Sequence, residues 1–370
     1  MSTKPVTNKD STVDREDEIS LIDCDVHPYH VAEEIVEYLP EQFRDQMGFT
    51  LAHTSTSNPH DGWRGDAVPD DGGVPGSDPQ KLYEDIVDGW NTDYPILNAG
   101  GLLLNASSPK AGYAHALAQA YNDWFVDKWL DFDRRFVGGL VVAPQQPEKA
   151  ADEIHRVGDH PQICQVLMAS ATEFPLGREF YWPIYEAAVE HDLPVAVHPG
   201  SVGNGICPPK NGAGYPSTFF EGHVTAGNHY ISQVVSLVGN GTFVEYPDLD
   251  FVFLEGGFGW VADIMWRMDH YWEHLRPEVP YLEKPPSEYV RENCYFGSQP
   301  IPEPDDWDQL LQTFEMMHAE ETLLYCSDYP HWDNDDPKYG LPRLEEPMKS
   351  RILYKNAQEL YGLPADPAKL

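Results

Sequence analysis

Two carboxylates and two imidazoles stand at the ends of apolar runs, an arrangement that suits the capture of a divalent metal ion. Asp25 and His27 lie at the end of the run that begins at Ile19. Two positions apart on a strand, they project from the same face. His198 ends the run Leu193-Pro-Val-Ala-Val197 and is followed at once by Pro199-Gly200, which forces a turn. Asp328 lies just past Thr322-Leu-Leu-Tyr-Cys326. Imidazole nitrogen with carboxylate oxygen is a donor set for Zn²⁺, Mn²⁺ or a related ion. Any one of the four taken alone reads as a polar cap on a strand. Four at three strand ends, far apart in sequence, are harder to explain that way.

Further groups stand near these ends. His331, after Tyr329-Pro330, lies in the loop beyond Asp328 and within reach of the same mouth. Arg64, beside Trp63 in a long acidic loop, is a candidate clamp for a substrate carboxylate, because guanidinium binds carboxylate at two points. Arg267 is another, although Asp269 or Glu273 would pair with it equally well. Trp182, Trp260 and Trp266 read as core or interface residues.

Positioning these groups requires a scaffold, and the chain alternates strand-like and helical stretches. The strand-like runs are 19–26, 101–105, 136–143, 163–168, 193–197, 251–255, 293–297 and 322–326. A helical segment follows each, among them 113–130, 147–157, 178–190, 219–238, 260–274, 304–318 and 348–361. Alternating β and α units predict a parallel sheet. Eight of them predict a closed α/β architecture, the (β/α)8 barrel, whose chemistry sits at the C-terminal ends of its strands. A doubly wound open sheet is the alternative, weakened because no Gly-x-Gly-x-x-Gly follows an early strand. Residues 1–18 read as a disordered lead-in, 19–362 as one barrel domain, 53–80 as a long Gly-, Pro- and Asp-rich insertion loop, and 363–370 as a tail.

Four motifs together resemble the amidohydrolase-related (amidohydrolase type 2) family, which includes the aminocarboxymuconate semialdehyde decarboxylase-like enzymes. They are Ile22-Asp-Cys-Asp-Val-His-Pro28, Leu193-Pro-Val-Ala-Val-His-Pro-Gly200, Phe251-Val-Phe-Leu-Glu-Gly-Gly-Phe-Gly-Trp260 and Ser327-Asp-Tyr-Pro-His331. The resemblance implies a distorted TIM barrel holding one divalent metal ion, zinc first and manganese second, on Asp25, His27, His198 and Asp328. Two positions depart from the pattern. Many members carry His or Glu where this chain has Asp25. Decarboxylases of the family tend to carry a catalytic His in a His-Gly-Gly where this chain reads Glu255-Gly256-Gly257. Glu255 is therefore a candidate acid/base, a group that orients another, or a cation ligand. His223 is a candidate replacement for the missing imidazole, or else a solvated histidine at a helix terminus.

The resemblance implies decarboxylation of a cyclic or unsaturated carboxylic acid. Hydrolysis of an amide, ester or lactone is the alternative, with Asp328 as base toward water. A non-catalytic, ligand-binding barrel is a third reading, with the changes at 25 and 255 as its mark.

Composition bounds the rest. The 61 acidic and 24 basic residues leave a net charge of −37 on 370 residues. Such a surface repels nucleic acid and anionic membranes. It predicts adaptation to high salt, where self-repulsion is screened. No apolar run reaches the length of a membrane span, no signal peptide opens the chain, and the five cysteines form no Cys-x-x-Cys pair. A reduced, cytoplasmic protein acting on a small carboxylate is expected, with a homodimer as the candidate assembly.

Overall fold

A computed structural model describes residues 20–30, 32–45, 62–209 and 212–370. Eight strands follow one another in chain order: β1 Ile22–Val26, β2 Tyr94–Leu97, β3 Val137–Val141, β4 Ile163–Ala169, β5 Val195–His198, β6 Phe251–Phe253, β7 Cys294–Gly297 and β8 Leu323–Leu324. Each pairs in parallel with the next, so the sheet runs β1 to β8 without a crossover. The first and last strands then meet. Cys24 N–H donates to the Tyr325 carbonyl at 2.9 Å, His27 N–H to Tyr329 at 2.8 Å, and Asp328 N–H to Asp25 at 2.9 Å. These bonds close the sheet into a (β/α)8 barrel.

The strands are short and apolar on both faces because helices cover the outside while side chains fill the inside. All but Tyr295 among the strand residues are buried. The helix Pro147–Val157 shows the outer layer at work. Proline opens it where its missing N–H costs nothing, and Ala150, Ile154 and Val157 form its buried face. Close approach of strands fixes Gly138, since a Cβ there would lie 2.3 Å from the Leu97 carbonyl oxygen. Among the described residues no helix is long and apolar enough to cross a membrane. All five cysteines are free and buried.

Several expectations need correction. The second strand is Tyr94–Leu97, not 101–105. Pro95, which cannot donate to a ladder, disguises the real strand. The apolar Leu102-Leu103-Leu104 belongs to a 3-10 turn over Gly101–Ser107, and Ser201 Oγ donates to the Leu103 carbonyl there at 2.6 Å. The predicted helix 219–238 is two helices, Phe219–Val224 and Gly227–Gly239. β6 stops at Phe253, so Glu255 stands beyond the strand.

The lead-in at 1–18 lies outside the described residues, as does most of the first half of the 53–80 loop. From Gly62 onward that loop has a 3-10 turn at Gly65–Ala67 and a helix beginning at Pro79. The tail is tied down by Tyr94, whose hydroxyl donates to the Pro364 carbonyl at 2.9 Å.

Candidate active site

Asp25 on β1 and His27 just past it enter the barrel mouth together, as their spacing predicts. His27 Nδ1 lies 3.0 Å from the Asn98 carbonyl oxygen. A carbonyl can only accept, so Nδ1 carries the proton and Nε2 presents its lone pair inward. Nε2 is 3.0 Å from Asp328 Oδ1 and 3.4 Å from Asp25 Oδ1. At the end of β5, His198 repeats the device. Its Nδ1 meets the Pro199 carbonyl at 3.0 Å, and its Nε2 faces Asp25 Oδ2 at 3.6 Å. One donor atom from each of Asp25, His27, His198 and Asp328 lies within 4.8 Å of all the others, and all four residues are buried.

The donor set fits one divalent cation. Asp25 Oδ2 is buried with no hydrogen-bond partner, and the buried His198 Nε2 makes none either, its near neighbours being carboxylate oxygens of Asp25 and Glu255 at 3.6 and 3.1 Å. Buried polar atoms are rarely left so, and here their lone pairs converge. A positive charge between them removes the repulsion.

The electrostatics agree. Burial drives the Asp25 carboxyl above its ordinary range, against the pull of His27 and His198. Asp328 moves the other way: burial would raise it, but His331 and His27 outweigh burial and hold it low. Burial also disfavours a charged His27, yet Asp25 and Asp328 push it up to about 10.

Two further side chains complete the mouth. Asp328 has φ 65° and Glu255 φ 49°, left-handed backbone that residues other than glycine seldom adopt. Strain of this kind concentrates at functional sites. Glu255 Oε2 lies 3.1 Å from His198 Nε2, with a fifth of its side chain exposed. His331 Nδ1 lies 2.5 Å from Asp328 Oδ1, and its Nε2 lies 2.8 Å from the Tyr29 hydroxyl. His27, Glu255, Asp328 and His331 thus form a second group with donor atoms within 4.8 Å, sharing two members with the first.

The long loop closes one side. Trp63 pairs with His331 as an antiparallel bridge, and Arg64 N–H donates to the Pro330 carbonyl at 3.0 Å. The Trp63 ring stacks on His331 at 5.7 Å between centroids and 27° between planes. Tyr29 meets Trp63 edge-on at 4.5 Å. Its ring lies so close over Gly100 that a Cβ there would sit 2.5 Å from it.

Other expected residues stand elsewhere. His223 is on the helix Phe219–Val224, paired with Asp333 at 2.9 Å and stacked on Phe219, outside both four-residue groups. The Arg64 guanidinium is held at two points by Asp66, with contacts of 2.8 and 2.7 Å. Arg267 sits on the outer helix Val261–Leu275, 3.8 Å from Asp263 rather than the expected Asp269 or Glu273. Trp260 packs on Phe296, while Trp266 is more than half exposed.

Two residues of the mouth, Tyr29 and Asn98, lie outside the sequence reading, and Trp63 enters it only as the neighbour of Arg64. Tyr29 adjoins the Ile22–Pro28 motif, so adjacency is its signal; Asn98, which touches both Asp25 and His27, carries none.

The family model described as Amidohydrolase matches residues 22–363. A curated gamma-resorcylate decarboxylase from Polaromonas sp. (strain JS666 / ATCC BAA-500) is 24% identical over 325 residues, covering 79% of this chain and 93% of that protein. The crystal structure of 5-carboxyvanillate decarboxylase from Sphingomonas paucimobilis superposes with a TM-score of 0.66 at 19% identity, covering 94% of this chain and all of that one (100%). A dihydroxybenzoic acid decarboxylase from Polaromonas sp. JS666, with bound manganese and the inhibitor 2-nitroresorcinol, gives 0.66 at 18% identity, with 93% and 97% covered. With eight parallel strands, a convergent donor set at their C-terminal ends, and a family match across nearly the whole barrel, this chain belongs to the amidohydrolase family.

Proposed function

We propose that the protein is a metal-dependent carboxy-lyase that removes CO2 from a small aromatic or other cyclic carboxylic acid. The observation that carries this reading is the overlap of two groups. A four-residue candidate metal site shares His27 and Asp328 with a set that adds Glu255 and His331, side chains whose chemistry allows proton transfer. The activities of the relatives named above support the substrate class.

A divalent ion bound by Asp25, His27, His198 and Asp328 supplies positive charge that anchors and polarises substrate oxygens. The other steps fall to the chain's own side chains. Glu255, as the carboxylic acid, gives its proton to the ring carbon that bears the carboxylate. The electron pair of the carbon–carbon bond then returns to the ring as CO2 leaves. Glu255 is left as carboxylate and regains a proton from water, so the sum is carboxylate plus proton to arene plus CO2. Trp63 stacked on His331 offers a flat wall for the ring. His331 and Arg64 are the proposed contacts to substrate, Arg64 by exchanging Asp66 for the substrate carboxylate.

Hydrolysis is the second reading, favoured by carboxylate rather than imidazole at position 255. It makes Asp328 the base toward water. That is a weak role for a carboxylate held below its ordinary range by two imidazoles. The donor set mixes two imidazoles with two carboxylates, which suits zinc or manganese, and elemental analysis of purified protein distinguishes them. We also carry the homodimer as a proposal, with exposed Trp266, Tyr271 and Leu275 offering apolar surface; light scattering reads it.

The deciding experiment is CO2 release by metal-loaded protein across a panel of aromatic carboxylates, run beside a panel of esters, lactones and amides. CO2 from at least one acid, with no hydrolysis, is the expected result. Hydrolysis without CO2 release overturns the proposal.

A further inference from the structure

A line of buried hydrogen bonds runs along the inside of the barrel and ends on the metal-ligand candidates of the first strand. At its centre is Asn98, the residue after β2, which is fully buried. Its side-chain Nδ2 donates to Asp25 Oδ1 at 2.9 Å and to the Cys24 carbonyl at 3.0 Å. Its backbone carbonyl accepts from His27 Nδ1 at 3.0 Å. Asn98 Oδ1 accepts from Gln165 Nε2 at 2.6 Å. Gln165, on β4 and also fully buried, accepts at Oε1 from the Tyr361 hydroxyl at 2.9 Å.

The direction of this line is forced. The Cys24 carbonyl can only accept, so the Asn98 atom facing it is the amide nitrogen. The Asn98 oxygen therefore faces Gln165, which must present its own nitrogen. The Gln165 oxygen is then left facing Tyr361, whose hydroxyl donates. Every donor in the line points toward Asp25.

The consequence falls on ligand geometry. Oδ1 of Asp25 is occupied by the Asn98 amide, while Oδ2 has no partner and faces His198 Nε2 at 3.6 Å. Through the same residue, His27 is held in the tautomer that presents Nε2. We infer that Asn98 is a positioning residue for the metal centre. It makes Asp25 a one-oxygen ligand and fixes His27, with its own amide orientation set from the far side of the barrel core by Gln165 and Tyr361. The inference rests on the proposed metal site and deepens it. Outer partners of this kind orient ligands that would otherwise rotate.

Two variants test it, with the metal as the probe. Asn98→Leu keeps the volume and removes the amide. Tyr361→Phe removes only the hydroxyl that orients Gln165, far along the line from the ligands. Mn²⁺ affinity is measured by titration of metal-free protein, and coordination is read from the visible d–d spectrum of the Co²⁺ form. Asn98→Leu is expected to weaken Mn²⁺ binding by about 10–100-fold and to change the Co²⁺ spectrum. Tyr361→Phe is expected to change the spectrum in the same sense with a smaller loss of affinity, while thermal melting of the metal-free protein stays near wild type. If the wild-type protein takes up no ion, the metal site itself is wrong. If it binds an ion and both variants keep its affinity and spectrum, the site stands and the role of Asn98 is refuted. Should Asn98→Leu fail to fold, the Tyr361→Phe spectrum alone decides: wild-type bands refute the inference and shifted bands uphold it.

Discussion

The His331 ring places Nδ1 2.5 Å from Asp328 Oδ1, three residues away on the loop after β8. Burial works against a charged imidazole there, but the Asp328 charge and hydrogen bond outweigh it and raise His331 above its ordinary value. The pair is itself held, since Tyr29 meets the other ring nitrogen and Trp63 lies flat against the ring. His331→Leu removes the N–H that steadies Asp328. Activity or metal affinity should fall by about 10–100-fold, measured by steady-state kinetics beside metal content. Wild-type values of both would mean that the contact has no functional weight.

His198→Ala should remove most of the bound ion, because His198 Nε2 is one of four converging donors. The fold should survive, since the ring stands at the barrel mouth rather than in the packing between strands and helices. Elemental analysis with a circular dichroism melt reads both. An unchanged metal content would show the ligand assignment to be wrong.

Glu255→Gln tests the acid. The amide keeps the shape and cannot deliver the proton, so turnover should fall by about 10²–10⁴ with metal content and substrate binding little changed. Loss of metal instead would make Glu255 a ligand, since its Oε2 is only 3.1 Å from His198 Nε2. Near-normal turnover with the metal in place would move the acid/base role to His331.

Asp335 supports the same loop, accepting from Ile301 N–H at 3.0 Å while its own N–H donates to the Ser327 carbonyl. Burial, with smaller additions from neighbouring acids, raises its carboxyl from 3.8 to about 7. A carboxyl raised on folding binds its proton more tightly in the folded state. Its stabilising effect is therefore full below the unfolded value near 4 and is lost as pH rises through about 7. Asp335→Asn should melt higher than wild type at pH 8 and match it near pH 4. Equal melting temperatures at both pH values would contradict this account.

The charge of −37 predicts that melting temperature rises strongly between low salt and molar KCl. Screening length shrinks from about 30 Å at 0.01 M to about 3 Å at 1 M, which removes most repulsion between surface acids. A flat or falling melting curve would mark an ordinary acidic protein.

Much of the candidate site was legible because an apolar run that ends in His or Asp is unusual. Asp25, His27 and His198 stand at or beside the C-terminal end of a strand and Asp328 in the loop beyond β8, and period-two alternation already put the first two on one face. What stayed hidden depends on contacts across the barrel. Asn98 is one more polar residue after a strand that Pro95 had masked. Arg64 looked free because nothing in a sequence says that Asp66, two residues on, folds back onto it. His223 looked close to the site by its place after β5, yet it lies on the helix Phe219–Val224 and pairs with Asp333. Local pattern reveals strands and their ends; pairing partners come only with the tertiary fold.

The closing bonds between β1 and the segment after β8 carry one more implication. Asp25 and Asp328, ligand candidates near the opposite ends of the chain, are joined by the Asp328 N–H donating to the Asp25 carbonyl at 2.9 Å. A cation gripped by both residues would act as a clasp on the barrel, tying its first strand to the segment that follows its last. Chelation would then loosen the seam between β1 and the segment after β8 before it disturbed the strands between them.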